Sequence, residues 1–325
     1  MIQKGHYGMG NEKKIVVIGG GTGTYTALLG LKKYPVDLTA IVSMADDGGS
    51  TRVLREEFGV LPPGSVRPAL VALSHAPQAI SNLFEFRFPE GTSGLSGHSF
   101  GNLFLTALAK QLGSFEKAIE EAGKMLNIKG RVIPSTLENC RLMAELETGQ
   151  VIEGETNIDI PKHDGNLKIQ RVWLEHSCKG NPRAIEAIRE ADIIVIGPGD
   201  LFTSIVPNFL VEGITKAVRE GKAKKVFVCN LMTRFGETAG FTASDFVEAL
   251  EKYLRENVLT HIIVNTKRPS PERVKKYEEA HAHFVEYNKE ELGQRNLKVI
   301  EEDVLRPMGF IRHNSDVLAT IICKL

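Results

Sequence analysis

Hydrophobic positions fall into short unbroken runs separated by longer stretches of helical period. The runs are Ile15 to Ile18, Leu38 to Met44, Ile193 to Ile196, Lys225 to Cys229 and His261 to Val264, each bounded by turn-forming residues. Strands covered on both faces read as continuous apolar runs, whereas strands with one wet face alternate. Between them, Thr24 to Lys33, Asn102 to Leu112, Phe115 to Leu126, Pro182 to Ala191, Asn208 to Glu220, Ala243 to Arg255 and Ser315 to Cys323 carry helix-period spacing. The rhythm predicts an α/β fold, a mostly parallel sheet with helices on both faces joined by right-handed crossovers.

Residues 131–176 break that rhythm. Val132, Ile133, Leu142, Leu146, Val151, Ile152, Ile169, Val172 and Leu174 lie in short strand-like pieces with turns at Gly149-Gln150 and Asp164-Gly165-Asn166. This stretch is expected to be an antiparallel β insertion within a single domain spanning 15–325. Residues 1–14 hold Gly5, Gly8 and Gly10, lack the apolar core of a signal peptide, and read as a flexible tail. Pro269 to Gly309, charged and punctuated by Pro271, Gly293 and Pro307, is expected to wrap the sheet edge.

Composition narrows the function classes. The 325 residues include 40 Lys+Arg and 40 Asp+Glu, so no global field recruits nucleic acid or an anionic membrane. No apolar run approaches the roughly 18 residues that span a bilayer, and a soluble, cytoplasmic protein is expected. Cys140, Cys178, Cys229 and Cys323 form no C-x-x-C pair and read as reduced, buried thiols. The nine histidines supply no metal set, and His281 and His283 at i, i+2 fall on different helix faces. Self-association is compatible with the sequence, which fixes no oligomeric state.

The candidate chemistry sits in the loops after the runs. Gly19-Gly20-Gly21-Thr22-Gly23-Thr24 follows the first strand and opens a helix, where free N–H groups can cradle a phosphate. It is neither G-x-G-x-x-G nor a P-loop, which lowers a nicotinamide dehydrogenase. After the second strand, Asp46-Asp47-Gly48-Gly49-Ser50 offers two carboxylates that can accept sugar hydroxyls, hold Mg²⁺ beside a diphosphate or orient a nucleophile; one can equally cap the helix beginning near Thr51. Gly197-Pro198-Gly199-Asp200 to Ser204 and Asn230-Leu231-Met232-Thr233 follow later strands and can hydrogen-bond a phosphate or base without net charge. Asn102, in His98-Ser99-Phe100-Gly101-Asn102, is either a helix cap or a ligand contact.

Taken in order, these motifs, with Leu61-Pro62-Pro63-Gly64, resemble the gluconeogenesis factor family, the UDP-sugar-binding branch of the 2-phospho-L-lactate transferase-like superfamily, over most of the chain. The resemblance implies a Rossmann-like core that binds UDP-N-acetylglucosamine without a required cofactor, and a role in cell shape and cell-wall synthesis during gluconeogenic growth. It also implies ligand contacts at Tyr277, stacking on uracil, and at Arg312, clasping diphosphate oxygens. The alternative is a transferase moving a phospholactyl group from a nucleotide diphosphate donor to a deazaflavin, with Asp46 and Asp47 catalytic or Mg²⁺-binding. Two positions depart from the family pattern. Ser65 replaces an aspartate and Arg52 a glycine, the latter expected to pair with one of the aspartates. Lys267, Arg268, Arg273, Lys275 and Lys276 suggest a basic rim near Tyr277.

Overall fold

The computed structural model describes residues 12–91 and 94–325. Among the described residues, ten strands form two sheets: β1 (Lys13–Gly19), β2 (Val36–Val42), β3 (Arg131–Pro134), β4 (Leu142–Leu146), β5 (Val151–Glu153), β6 (Ile169–Leu174), β7 (Ile193–Ile196), β8 (Lys224–Val228), β9 (His261–Asn265) and β10 (Lys298–Glu302). The main sheet has the order β10-β9-β8-β7-β1-β2-β3 with every pair parallel. The small sheet, β5-β4-β6, is antiparallel.

The central strands are apolar throughout because both faces are covered. Val16, Ile18, Ile41, Ile194 and Ile196 enter one core with helices Pro182–Glu190, Ile214–Glu220 and Ala243–Leu254 and with the small sheet. Ile15, Val17, Leu38, Val42 and Val195 enter the other, against helices Gly21–Leu31, Val66–Leu73, Phe100–Leu112, Phe115–Met125 and Ser315–Lys324. The expected three-layer α/β architecture with an antiparallel insertion is what the chain forms.

Several boundaries differ from the sequence reading. Val132 and Ile133 belong to β3 and pair with Ala40 and Ile41, so the antiparallel piece begins only at β4. Lys13 and Lys14 are already strand, while residues 1–11 of the expected tail lie outside the described residues. The 269–309 stretch contributes β10 to the sheet edge instead of only wrapping it. The expected helix Asn208–Glu220 is broken: a π-helical turn, Leu201–Ile205, leads into Val206–Phe209, and Gly213 at φ +87° separates that piece from Ile214–Glu220. Cys140, Cys178 and Cys229 are buried and Cys323 is partly so, all as free thiols.

Candidate functional site

β1 sits where the connections diverge: its chain turns to β2 on one side, while β7 on its other side leads on to β8 and β9. The loops leaving β1 and β7 therefore part at their carboxyl ends and leave a crevice, the usual ligand position in an open α/β sheet. A cleft of about 180 Å³ occupies it, lined among others by Gly20, Thr22, Gly23, Gly199, Asn230 and Arg312.

Glycines make the crevice. A Cβ on Gly23 would lie 2.2 Å from the Pro198 carbonyl oxygen, so only glycine lets the two loops close on each other. Gly21 takes φ +62° at the first turn of the helix. Among the described residues no side chain caps that helix, and its first turn holds no acidic residue, which leaves the N–H groups at this end for an anion. Asn230 donates to the Gly199 carbonyl at 2.9 Å, while its Oδ1 has no partner among the described residues. Gly197, at φ +75°, turns the chain out of β7 toward Gly199.

Other candidates lie elsewhere. Thr24 is buried beneath the glycine turn, its hydroxyl unpartnered among the described residues. Thr233 is bonded to the His283 backbone twice: its N–H donates to the carbonyl at 2.7 Å and its hydroxyl accepts the N–H at 2.8 Å. Asn102 is neither cap nor cleft wall: Ser99 caps the helix, and buried Asn102 accepts from Arg67 Nε at 3.2 Å and donates to Ser50, which meets His98 Nδ1 at 2.9 Å. The Tyr277 hydroxyl accepts the Ile311 N–H at 2.9 Å, beside the cleft and not on its wall.

The two aspartates are committed to the protein. Asp46 accepts from the Gly48 N–H at 3.0 Å and the Thr51 hydroxyl at 2.9 Å, and burial pushes its carboxyl upward. Asp47 accepts the Thr156 N–H at 2.8 Å and so tethers the short insertion helix Glu155–Asp159. Arg52 makes no ion pair among the described residues; Arg55 instead donates to the Asp46 carbonyl at 2.7 Å. The expected basic rim is also largely spent, since Lys267 pairs with Asp303, Arg268 with Glu286, and Arg273 with backbone carbonyls.

A carboxylate group without a sequence motif converges beside the cleft. Oxygens of Asp159, Asp200 and Glu237 lie within 4.8 Å of one another, and Asp200 also lines the cleft. Glu237, 3% exposed, accepts from the Phe202 N–H at 2.9 Å and the Thr203 hydroxyl at 2.7 Å; burial drives its carboxyl up to about 8. Burial raises Asp200 as well, and Arg234 pairs with Asp159 at 2.6 Å. Desolvation, then the charges of Asp46 and Asp159, lift nearby Glu155 to about 9. An all-oxygen donor set suits a hard cation such as Mg²⁺. Only Asp200, inside its glycine loop, carried a signal in the sequence.

The fold and the crevice define a Rossmann-like α/β protein with a cleft at the topological switch point. The chain belongs to the family described as 2-phospho-L-lactate transferase CofD, whose model matches residues 15–305. The gluconeogenesis factor of Bacillus subtilis strain 168 is 42% identical over 319 residues, covering 98% of this chain and 99% of the relative. The gluconeogenesis factor of Halalkalibacterium halodurans is 42% identical over 315 residues, 96% of both chains. A crystal structure of protein BH3568 from Bacillus halodurans superposes with a TM-score of 0.92 at 40% identity, covering 96% of this chain and all of that one.

Proposed function

We propose that this chain is a cytoplasmic nucleotide-sugar-binding regulator, with UDP-N-acetylglucosamine as ligand, acting on cell shape and cell-wall synthesis during gluconeogenic growth. The observation that carries the reading is the pairing of an uncapped, glycine-lined helix start with Arg312 across one cleft. N–H groups at Gly21 to Gly23 take one side of a diphosphate, and the guanidinium takes the other bidentately. The free acceptor of Asn230 suits a base N–H or a sugar hydroxyl. Isothermal titration with UDP-N-acetylglucosamine is expected to give saturable heat, and Arg312→Ala to weaken it at least about tenfold. No heat and no thermal shift at millimolar ligand would overturn the reading.

A second reading, a phospholactyl transferase, draws on the family description and on the carboxylates of Asp159, Asp200 and Glu237. Those residues, or Asp46 and Asp47, would hold Mg²⁺, which supplies charge stabilisation at the diphosphate. Ser65, a hydroxyl at the position of the family's aspartate, weighs against intact chemistry. Incubation with guanosine- and uridine-activated donors, a deazaflavin and Mg²⁺, read by mass spectrometry, separates the two; turnover lost in Asp46→Asn or Asp200→Asn would favour the enzyme.

A further inference from the structure

We infer that Arg273 is a positioning residue for the cleft: it holds the hairpin that presents Arg312, without reaching the ligand itself. The hairpin is narrow. Leu305 and His313 form its last bridge, the Arg306 N–H donates to the Arg312 carbonyl at 2.8 Å, and Gly309 turns the chain at φ +76°. Its tip gains little from burial, since Met308 is 78% exposed and Phe310 67%. Cross-strand bonds alone leave the exposed carbonyls of the turn to water, without donors from the protein, and a turn so held is loose.

Arg273, on helix Pro271–Glu278, supplies the missing donors. Its Nε donates to the Gly309 carbonyl at 3.0 Å, Nη1 to Pro307 at 3.3 Å and Nη2 to Phe310 at 3.0 Å. One planar guanidinium thus spans three carbonyls, a task that an ammonium on a flexible stem does not perform. Four residues along the same helix, Tyr277 holds the Ile311 N–H, and buried His313 meets the Cys229 carbonyl at 3.0 Å. Arg312 is therefore fixed from both neighbours, and its guanidinium leans on the Phe310 ring at 5.4 Å. Arg273 is absent from the cleft wall, so its effect on a ligand passes through the hairpin. Bidentate pairing with phosphate oxygens depends on angle as well as distance, which makes Arg312 sensitive to this support.

The ligand half of the inference rests on the nucleotide-binding reading above; the structural half does not, and the experiment separates them. Hydrogen exchange on full-length Arg273→Ala is expected to show faster exchange confined to the amides of residues 305–313, with other segments as in wild type. Titration with UDP-N-acetylglucosamine is expected to give a Kd raised about tenfold, not rescued by Arg273→Lys. The double variant Arg273→Ala/Arg312→Ala should bind no more weakly than Arg312→Ala alone, because residues acting through one contact are not additive. Unchanged exchange at 305–313, or a loss that adds fully to that of Arg312→Ala, overturns the inference. Should Arg273→Ala disturb exchange throughout the chain, Arg273→Gln, which keeps two donors, is measured by the same criteria. If wild type binds no nucleotide, the nucleotide reading fails while the exchange pattern still decides what Arg273 holds.

Discussion

Gly23 and Glu237 show how single residues set the properties of the cleft. Gly23→Ala is expected to cost roughly 1–3 kcal/mol, the usual range for overpacking, since its methyl would meet the Pro198 carbonyl; a melting temperature equal to wild type would count against this contact. Glu237 binds more protons in the folded chain than in the unfolded one. Its contribution to stability is complete below its ordinary value of 4.5 and is lost as pH climbs through about 8. Melting temperatures of wild type should fall between about pH 5 and 8, and Glu237→Gln should flatten that slope. Mg²⁺ competes with those protons, so added Mg²⁺ should raise the melting temperature more at pH 8.5 than at pH 6 if the three carboxylates hold it. The glycine turn was legible in the sequence because glycine in a strand-to-helix turn has few other uses. Asp159 and Glu237 were not, because two isolated acids 78 positions apart in this chain give no spacing signal until the loop after β8 and the insertion bring them together.

Among elements, the insertion matters because its short helix meets the site loops, at Asp47 and again at Arg234 and Asp200. The Asp47 carboxylate caps helix Glu155–Asp159 through the Thr156 N–H, and the Val172 N–H donates to the Tyr253 hydroxyl at 2.8 Å on the opposite side. Asp47→Ala is expected to speed exchange at residues 155–160 while leaving the main sheet protected; uniform protection would show that the cap carries little. Strands covered on both faces announced themselves as apolar runs, whereas β3 and β10 did not. Both are edge strands, and β10, Lys-Val-Ile-Glu-Glu, is charged at three of five positions, a pattern that guards an edge against pairing with other chains. The break before Gly213 was hidden for the opposite reason. Residues 201–209 are buried nearly all round, Thr203 and Asn208 included, so no periodic stripe marks where one helical turn hands over to the next.

At the scale of the whole molecule, equal numbers of acids and bases leave anion attraction to the cleft itself. Affinity for a nucleotide sugar should fall by less than roughly threefold between 50 and 300 mM salt, because a short-range, partly desolvated contact is screened far less than a diffuse field; a steep dependence would implicate an extended basic surface. The position of β1 has a kinetic consequence as well. It pairs with β7 through partners so distant that the Lys14 N–H meets the Asp192 carboxylate across 178 positions of chain. At about 5–20 residues per second of synthesis, β1 waits roughly 10–40 s on the ribosome with one apolar edge bare. The cleft, which opens between those two strands, is therefore assembled late, and a nascent chain stalled before residue 193 has no crevice for a ligand to rescue.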